Sequence, residues 1–235
     1  MIECEKRIGI DNDNWQMSSR EKLGLIGLLH CLKPKDVIEF GYHHGGATKW
    51  LAELSENVIT VDVNEFVSDA SKIHPNVMSW NFTTSEAIKK IQNESLSFDL
   101  AIIDADHSRK SVADDLYGIL PHAEVILLHD SFNPECRKGM LDTLLSQSSH
   151  AYYLDFMPSI VKEDGLWGGF SIAWKSKNPG PSKEHFGEKS PYNAIWWQGC
   201  FHFRSKYQNL KHLLSQIRQN TISNIRILGG KLLGK

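Results

Sequence analysis

The sequence contains no apolar run approaching the roughly 18–20 residues that a bilayer-spanning helix needs, so a transmembrane segment is not expected. It is also poor in cysteine. Cys4, Cys31, Cys136 and Cys200 are far apart, at the spacing of neither a zinc knuckle nor a dense disulfide framework. Free thiols in a reducing cytosol are the expectation. The opening Met-Ile-Glu-Cys-Glu-Lys lacks a positive segment followed by an apolar stretch, so no secretory signal is expected and the cytoplasm is the expected compartment. Internal repeats and low-complexity stretches are absent. A formal net charge of −2 argues against a polyanionic partner for the chain as a whole.

Charge of one sign is missing locally. Residues 189–235 carry eight basic groups and no acid, whereas residues 1–188 carry 18 basic groups against 28 acids. With 235 residues the chain can bury a sizeable core as one α/β domain with a tail. The expected divisions are a helical lead-in over 1–34, the main domain over 35–175, and a linker with a basic tail over 176–235.

Ser18 and Glu21 have the spacing of a capping box. They open an amphipathic helix through Leu23, Leu25, Ile26, Leu29 and Leu32 that stops before Pro34. Short apolar runs then alternate with helical patterns: strands at 37–40, 58–62, 77–82, 98–104 and 125–128, helices between and after them. Near-continuously apolar strands separated by helices predict a parallel sheet covered on both faces. After residue 150 two strand-like runs, 152–157 and 168–174, have only a loop between them, which predicts an antiparallel pair.

The run Glu39-Phe-Gly-Tyr-His-His-Gly-Gly-Ala-Thr48 leads from a strand through a glycine turn into a helix. Gly41, Gly45 and Gly46 let the backbone bend tightly and approach a ligand. The helix N-terminus that follows offers N–H donors to an anionic group. Asp62 ends the second strand, where an acid can accept both hydroxyls of a ribose. This is a nucleoside-cofactor arrangement. The glycines do not follow G-x-G-x-x-G, the spacing that seats a pyrophosphate, and Glu39 would repel a diphosphate but hold an ammonium. S-adenosylmethionine is therefore favoured over a dinucleotide.

Asp104, Asp106 and His107 follow the fourth strand, and His129 and Asp130 follow the fifth. In a parallel sheet these open on the same edge as Gly41. Three acids and two histidines in one cleft call for a cation, and oxygen donors with an imidazole suit Mg²⁺ or Mn²⁺ better than zinc. His107 is placed to act as a general base. Asp106 is either a cofactor contact or a cap for the next helix. His43 and His44 receive no chemical role, and Gly168 and Gly169 are read mainly as hairpin glycines.

These three segments, Glu39–Thr48, Phe98–His107 and Ile126–Asp130, resemble the class I methyltransferases. The subgroup of macrolide-sugar O-methyltransferases and cephalosporin-hydroxylase-like proteins is the one most similar, over about residues 20–175. The resemblance implies a Rossmann-like, mostly parallel seven-stranded sheet with helices on both faces. Its strand order would be 3-2-1-4-5-7-6 with the last strand antiparallel, and its cofactor cleft would lie above strands one and four. It implies cofactor contacts at Glu39, Gly41 and Asp62, and more loosely at 81–83. It also implies metal ligands at Asp104 and at His129 and Asp130, with His107 as base. His129 departs from the pattern, which has an acid there.

The expected activity is thus metal-assisted O-methylation of a hydroxylated small molecule or sugar. A nicotinamide-dependent oxidoreductase and a non-catalytic scaffold are the rivals. The tail carries apolar residues at helical spacing (Phe203, Tyr207, Leu210, Leu214, Ile217) with basic residues between them. It suits the anionic inner face of a membrane, or packing on the acidic domain or on a second subunit of a homo-oligomer. Nucleic acid is disfavoured, because the positive charge is on the tail and the cleft is acidic.

Overall fold

Periodicity alone places the elements well. In the computed structural model, which describes residues 15–156, 168–176 and 180–181, α1 (Ser19–Leu32) is followed by β1 (Asp36–Phe40), α2 (Gly46–Leu54) and β2 (Asn57–Val61). A 3-10 turn (Glu65–Asp69) and the short α3 (Ala70–Ile73) lead to β3 (Val77–Trp80) and α4 (Thr84–Glu94). Then come β4 (Phe98–Ile103), α5 (Arg109–Ile119), β5 (Ala123–Leu128), α6 (Pro134–Leu144), β6 (His150–Phe156), β7 (Phe170–Lys175) and β8 (Gly180–Pro181). The linker and tail expectations fall almost entirely on 177–179 and 182–235, outside the described residues.

The sheet order is β3-β2-β1-β4-β5-β7-β6-β8. β1 to β5 pair parallel, and β7 runs antiparallel between β5 and β6, as the pattern of five βα units and a hairpin implies. The addition is β8, a two-residue strand paired parallel with β6 at Ala151 and Tyr152. Two residues, one a proline, are too short to leave a hydrophobic pattern. The short helical stretch over 65–73 was likewise not expected from periodicity.

Strand alternation divides the core into two layers. Val37, Val58, Leu100, Ile102 and Leu127 pack with Leu25 and Leu29 of α1 and Leu51 of α2. Ile38, Phe40, Ala101, Ile103, Ile126 and Leu128 pack with Ile88 and Ile91 of α4, Leu116 of α5 and Met140 of α6. Each fully buried aliphatic chain contributes about 1.5–3 kcal/mol, so both layers hold the sheet. α1 begins at the Ser18–Glu21 capping box, and α4 at a second one formed by Thr83 and Glu86. Among the described residues no helix is long and apolar enough to cross a membrane.

The parallel register sets which residues meet at the carboxyl edge of the sheet. Phe40 pairs with Ile103, and Ile103 with Leu128. The next residue of each strand then continues the ladder: Asp104 N donates to Phe40 O (2.9 Å) and His129 N to Ile103 O (3.0 Å). Gly41, Asp104 and His129 therefore stand side by side at the carboxyl edge of the sheet.

Candidate active site

At that edge lies a cavity of about 630 Å³, lined among others by Glu39, Gly41, Asp62, Asp104, His107 and Asp130. A volume of this order suits a nucleoside-sized ligand with a small acceptor beside it. The glycine loop makes the opening. Gly41 has φ +99°, and a Cβ there would fall 2.1 Å from the carbonyl oxygen of Asp104. Only glycine lets the ends of β1 and β4 come this close. Gly45 (φ +75°) caps α2 without a side-chain hydrogen bond, leaving backbone N–H groups at the helix start for a ligand.

Glu39 points into this space from β1 and is almost fully buried. Its Oε2 accepts hydrogen bonds from the hydroxyls of Thr48 (2.5 Å) and Thr60 (2.7 Å). Burial pushes its carboxyl up to about 7 despite those two bonds. Asp62, just past β2, is already well occupied. Its Oδ2 accepts from the backbone N–H groups of Tyr42 and His43, both at 3.0 Å, and Oδ1 from the backbone and side-chain nitrogens of Asn64, both at 2.9 Å. In this state Asp62 fastens the glycine loop to β2. Ser108 caps the start of α5, and Asp106 before it accepts from Ser108 N (2.9 Å) and Ser111 Oγ (2.8 Å). The Ser111 hydroxyl, ahead of the Ser108 amide, holds its carboxyl below the usual range. Asp106 also lines the cavity.

Beyond the glycine loop stands an acid–imidazole cluster. His107 Nε2 lies 2.9 Å from Asp130 Oδ2 and 3.6 Å from Asp104 Oδ1. His129 Nδ1 lies 2.9 Å from Asp104 Oδ1 and 3.6 Å from Asp130 Oδ2. Asp104, His107 and Asp130 each bring one donor atom within 4.8 Å of the others. The two aspartates, Asp104 foremost, raise the His107 imidazole to about 10. For the buried His129 ring desolvation opposes the charge, but Asp104 and Glu21 outweigh it, so its pKa stands well above the ordinary value. Asp130 is held low by the two histidines against the opposing effect of burial. Its backbone adopts φ +53°, and its Oδ1 accepts from Gly168 N at 2.6 Å.

Four members of this site carry no chemical assignment from sequence. Glu21 of α1 is buried, and its Oε1 faces His129 Nε2 at 3.1 Å and accepts from Gly169 N. The capping-box spacing gave Glu21 a sufficient structural reason and so concealed its second contact. Gly168 and Gly169, read as hairpin glycines, turn their N–H groups onto Asp130 and Glu21 at φ +79° and +78°. Cys136 lies below, with Sγ 3.6 Å from His107 O, and burial pushes its thiol up to about 12. It is no nucleophile at neutral pH.

Residues 38–131 match the family model described as a methyltransferase domain. Among solved structures, the chain is similar to an O-methyltransferase from Bacillus cereus in complex with SAH. That likeness has 16% identity, covers 74% of this chain and 88% of the other, and has a TM-score of 0.57. It is also similar to the O-methyltransferase TomG from Streptomyces achromogenes, involved in tomaymycin synthesis and solved with SAM. There the identity is 14%, the coverage 73% and 86%, and the TM-score 0.58. No curated protein matches at a significant level. Residues 38–131 are thus similar to a methyltransferase domain, and the chain shares the fold of these solved O-methyltransferases.

Proposed function

We propose that the protein is an S-adenosylmethionine-dependent O-methyltransferase acting on a hydroxylated small molecule or sugar, with a divalent cation at the acid–imidazole cluster. The observation that carries this reading is the meeting of two parts in one cavity. The glycine loop with Glu39 forms one wall, and Asp104, His107, His129 and Asp130 form the other. The solved O-methyltransferases with SAH and SAM lend it support through their fold.

The cofactor, when bound, supplies a methyl group already activated by its sulfonium. The chain's task is to hold and orient it. Glu39 Oε atoms suit the ammonium, and the uncapped start of α2 suits the carboxylate. Oδ1 of Asp62, whose partner Asn64 is exposed, is the oxygen that can turn to ribose hydroxyls.

The donor set also fits a cation. Ligands about 2.1 Å from one octahedral ion stand about 3 Å apart at right angles. The 2.9 and 3.6 Å from His129 Nδ1 to Asp104 Oδ1 and Asp130 Oδ2 are of that order. We assign Asp104, His129 and Asp130 as ligands, and His107 Nε2 as the proton acceptor for the substrate hydroxyl. When bound, such an ion neutralises carboxylates and acidifies a hydroxyl that reaches it. Neutralising Asp104 and Asp130 also removes both causes of the raised His107 pKa. A ring relieved of that proton can accept the one a substrate hydroxyl gives up.

Calorimetry with S-adenosylmethionine and with NAD tests the reading. Submillimolar binding of the first and none of the second is expected; tight NAD binding alone would sink the proposal. Proton linkage adds a sharper expectation. Glu39 is neutral below about 7 and charged above it, and an ammonium binds the charged form. Affinity is expected to climb with pH up to about 7, by at most about tenfold per unit, and then to level off. Glu39→Gln is expected to bind more weakly and to lose the slope.

The same proposal puts the enzyme in the cytoplasm, in keeping with the free thiols of Cys31 and Cys136. For the basic tail, anionic vesicles and molar mass in solution separate a membrane surface from a second copy of the chain.

A further inference from the structure

We propose that Glu21 is a positioning residue of the cleft: its buried carboxylate accepts the Nε2 proton of His129 and thereby turns the Nδ1 lone pair toward Asp104 and Asp130. The inference rests on the preceding assignment of those aspartates to the cleft's chemistry.

The geometry is specific. Glu21 is 1% exposed and His129 7%, so neither group has water as an alternative partner. Glu21 Oε1 stands 3.1 Å from His129 Nε2. A carboxylate can only accept, so the ring must carry hydrogen on Nε2 to face it. On the other side Nδ1 faces Asp104 Oδ1 at 2.9 Å, again an acceptor. With Nε2 committed to Glu21, Nδ1 and Asp104 are two acceptors that meet only across a cation, whether a proton or a metal ion. A ligating histidine whose other N–H is held by a carboxylate is a recurring means of fixing tautomer and ring orientation.

Glu21 is itself held from three sides. Its Oε2 accepts from Ser18 N at 2.8 Å, its Oε1 from Gly169 N, and its backbone belongs to the first turn of α1. The carboxylate therefore fastens α1, the end of β5 and the start of β7 to one another at the cleft. Burial would raise its pKa, but His129 and Ser18 hold it below the usual range. A capping box alone needs only Oε2. The Oε1 contacts are what a merely structural cap does not explain.

The full chain is compared with Glu21→Ala, Glu21→Gln and Ser18→Ala. Glutamine keeps an acceptor oxygen for His129, and Ser18→Ala removes only the hydroxyl half of the cap. Two readouts are taken: Mn²⁺ affinity by electron paramagnetic resonance, and the His129 ring proton in 15N-edited NMR spectra. Expected for Glu21→Ala is a 10- to 100-fold weaker Mn²⁺ affinity, about the effect of losing such a carboxylate, with loss of the protected Nε2–H signal. Glu21→Gln should restore most of both, Ser18→Ala should leave both in place, and S-adenosylmethionine affinity should stay within about threefold throughout.

Unchanged Mn²⁺ affinity and an unchanged ring signal in Glu21→Ala overturn the proposal. If the wild-type chain binds no Mn²⁺, the cation assignment of the preceding reading fails and the ring signal alone decides. Its loss in Glu21→Ala and retention in Glu21→Gln then support the positioning role, and its persistence in Glu21→Ala refutes it.

Discussion

Gly41→Ala is expected to reduce S-adenosylmethionine affinity by at least about 100-fold and to lower the melting temperature by roughly 5–15 °C. Two costs combine. The added methyl would stand 2.1 Å from the Asp104 carbonyl oxygen, a backbone atom that cannot rotate away. Overpacking of this kind costs about 1–3 kcal/mol. The backbone angle of +99° adds about 1–3 kcal/mol of strain for any residue with a Cβ. For a domain of this size each kcal/mol is worth about 2–4 °C. Relief can come only by parting β1 from β4, which moves Glu39, Asp104 and the glycine loop together, so binding suffers with stability. Gly27→Ala is the matched control. It sits exposed within α1 with nothing within 4 Å of its Cβ position. There the same change should stabilise by about 0.5–1 kcal/mol through helix propensity and leave binding untouched. Thermal melts and calorimetry read both variants, and equal affinity of Gly41→Ala and wild type would refute the close-approach argument.

The contrast between those glycines shows what sequence can disclose. Gly41 was legible because it follows an apolar strand and precedes a helical pattern, which is local information. The sheet was legible for the same reason. Its strands are nearly all apolar, its helices have caps at fixed offsets, and the parallel order follows from alternation plus one hairpin. Glu21 was legible only as a cap. Its contact with His129 spans 108 residues and that with Gly169 spans 148, distances over which no periodicity speaks. Asp62 is a third kind of case. Its position at a strand end was evident, yet its four hydrogen bonds to Tyr42, His43 and Asn64 depend on how the loop folds back.

His129 joins the two levels. By sequence it is the position at which the chain departs from the pattern it resembles, an imidazole in place of an acid. In the structure the departure comes with Glu21, an acid on another element whose carboxylate meets the ring at Nε2. On the assignment proposed above, acid and imidazole together would offer a bound cation one lone pair, from nitrogen rather than oxygen, with its direction set by Glu21. The carboxyl edge of the sheet thus holds one layer of groups that face the cavity and a second layer hydrogen-bonded behind them. The second layer comes from α1 and the β7 hairpin, whose residues approach the edge only once the sheet has formed.

Asp104 is where both layers meet, and Asp104→Ala should show it in stability as well as in chemistry. Its carboxylate is the partner of His129 at 2.9 Å and lies 3.6 Å from His107. Removing it leaves a buried imidazole with one acid, Glu21, at its far nitrogen. Breaking a fully buried pair costs about 3–5 kcal/mol, and because Asp104 is about a quarter exposed a loss of about 2–3 kcal/mol is expected, screened by solvent. The pH dependence fixes the cause. The folded-state pKa of His129 stands well above its ordinary 6.5, so the pair contributes its full stability below about 6.5. That contribution is lost as pH rises through the elevated folded value. The gap between wild type and Asp104→Ala in urea unfolding should therefore be widest at pH 6 and should narrow steadily in alkaline buffer. Asp104→Asn, which keeps the shape without the charge, should follow the same course with a smaller offset. On the assignment proposed above, Mn²⁺ binding and methyl transfer should be lost in both variants at every pH, since neither restores the carboxylate. A gap that stays constant from pH 6 to 10 would mean that Asp104 acts through packing, and the charge argument for the cleft would fall with it.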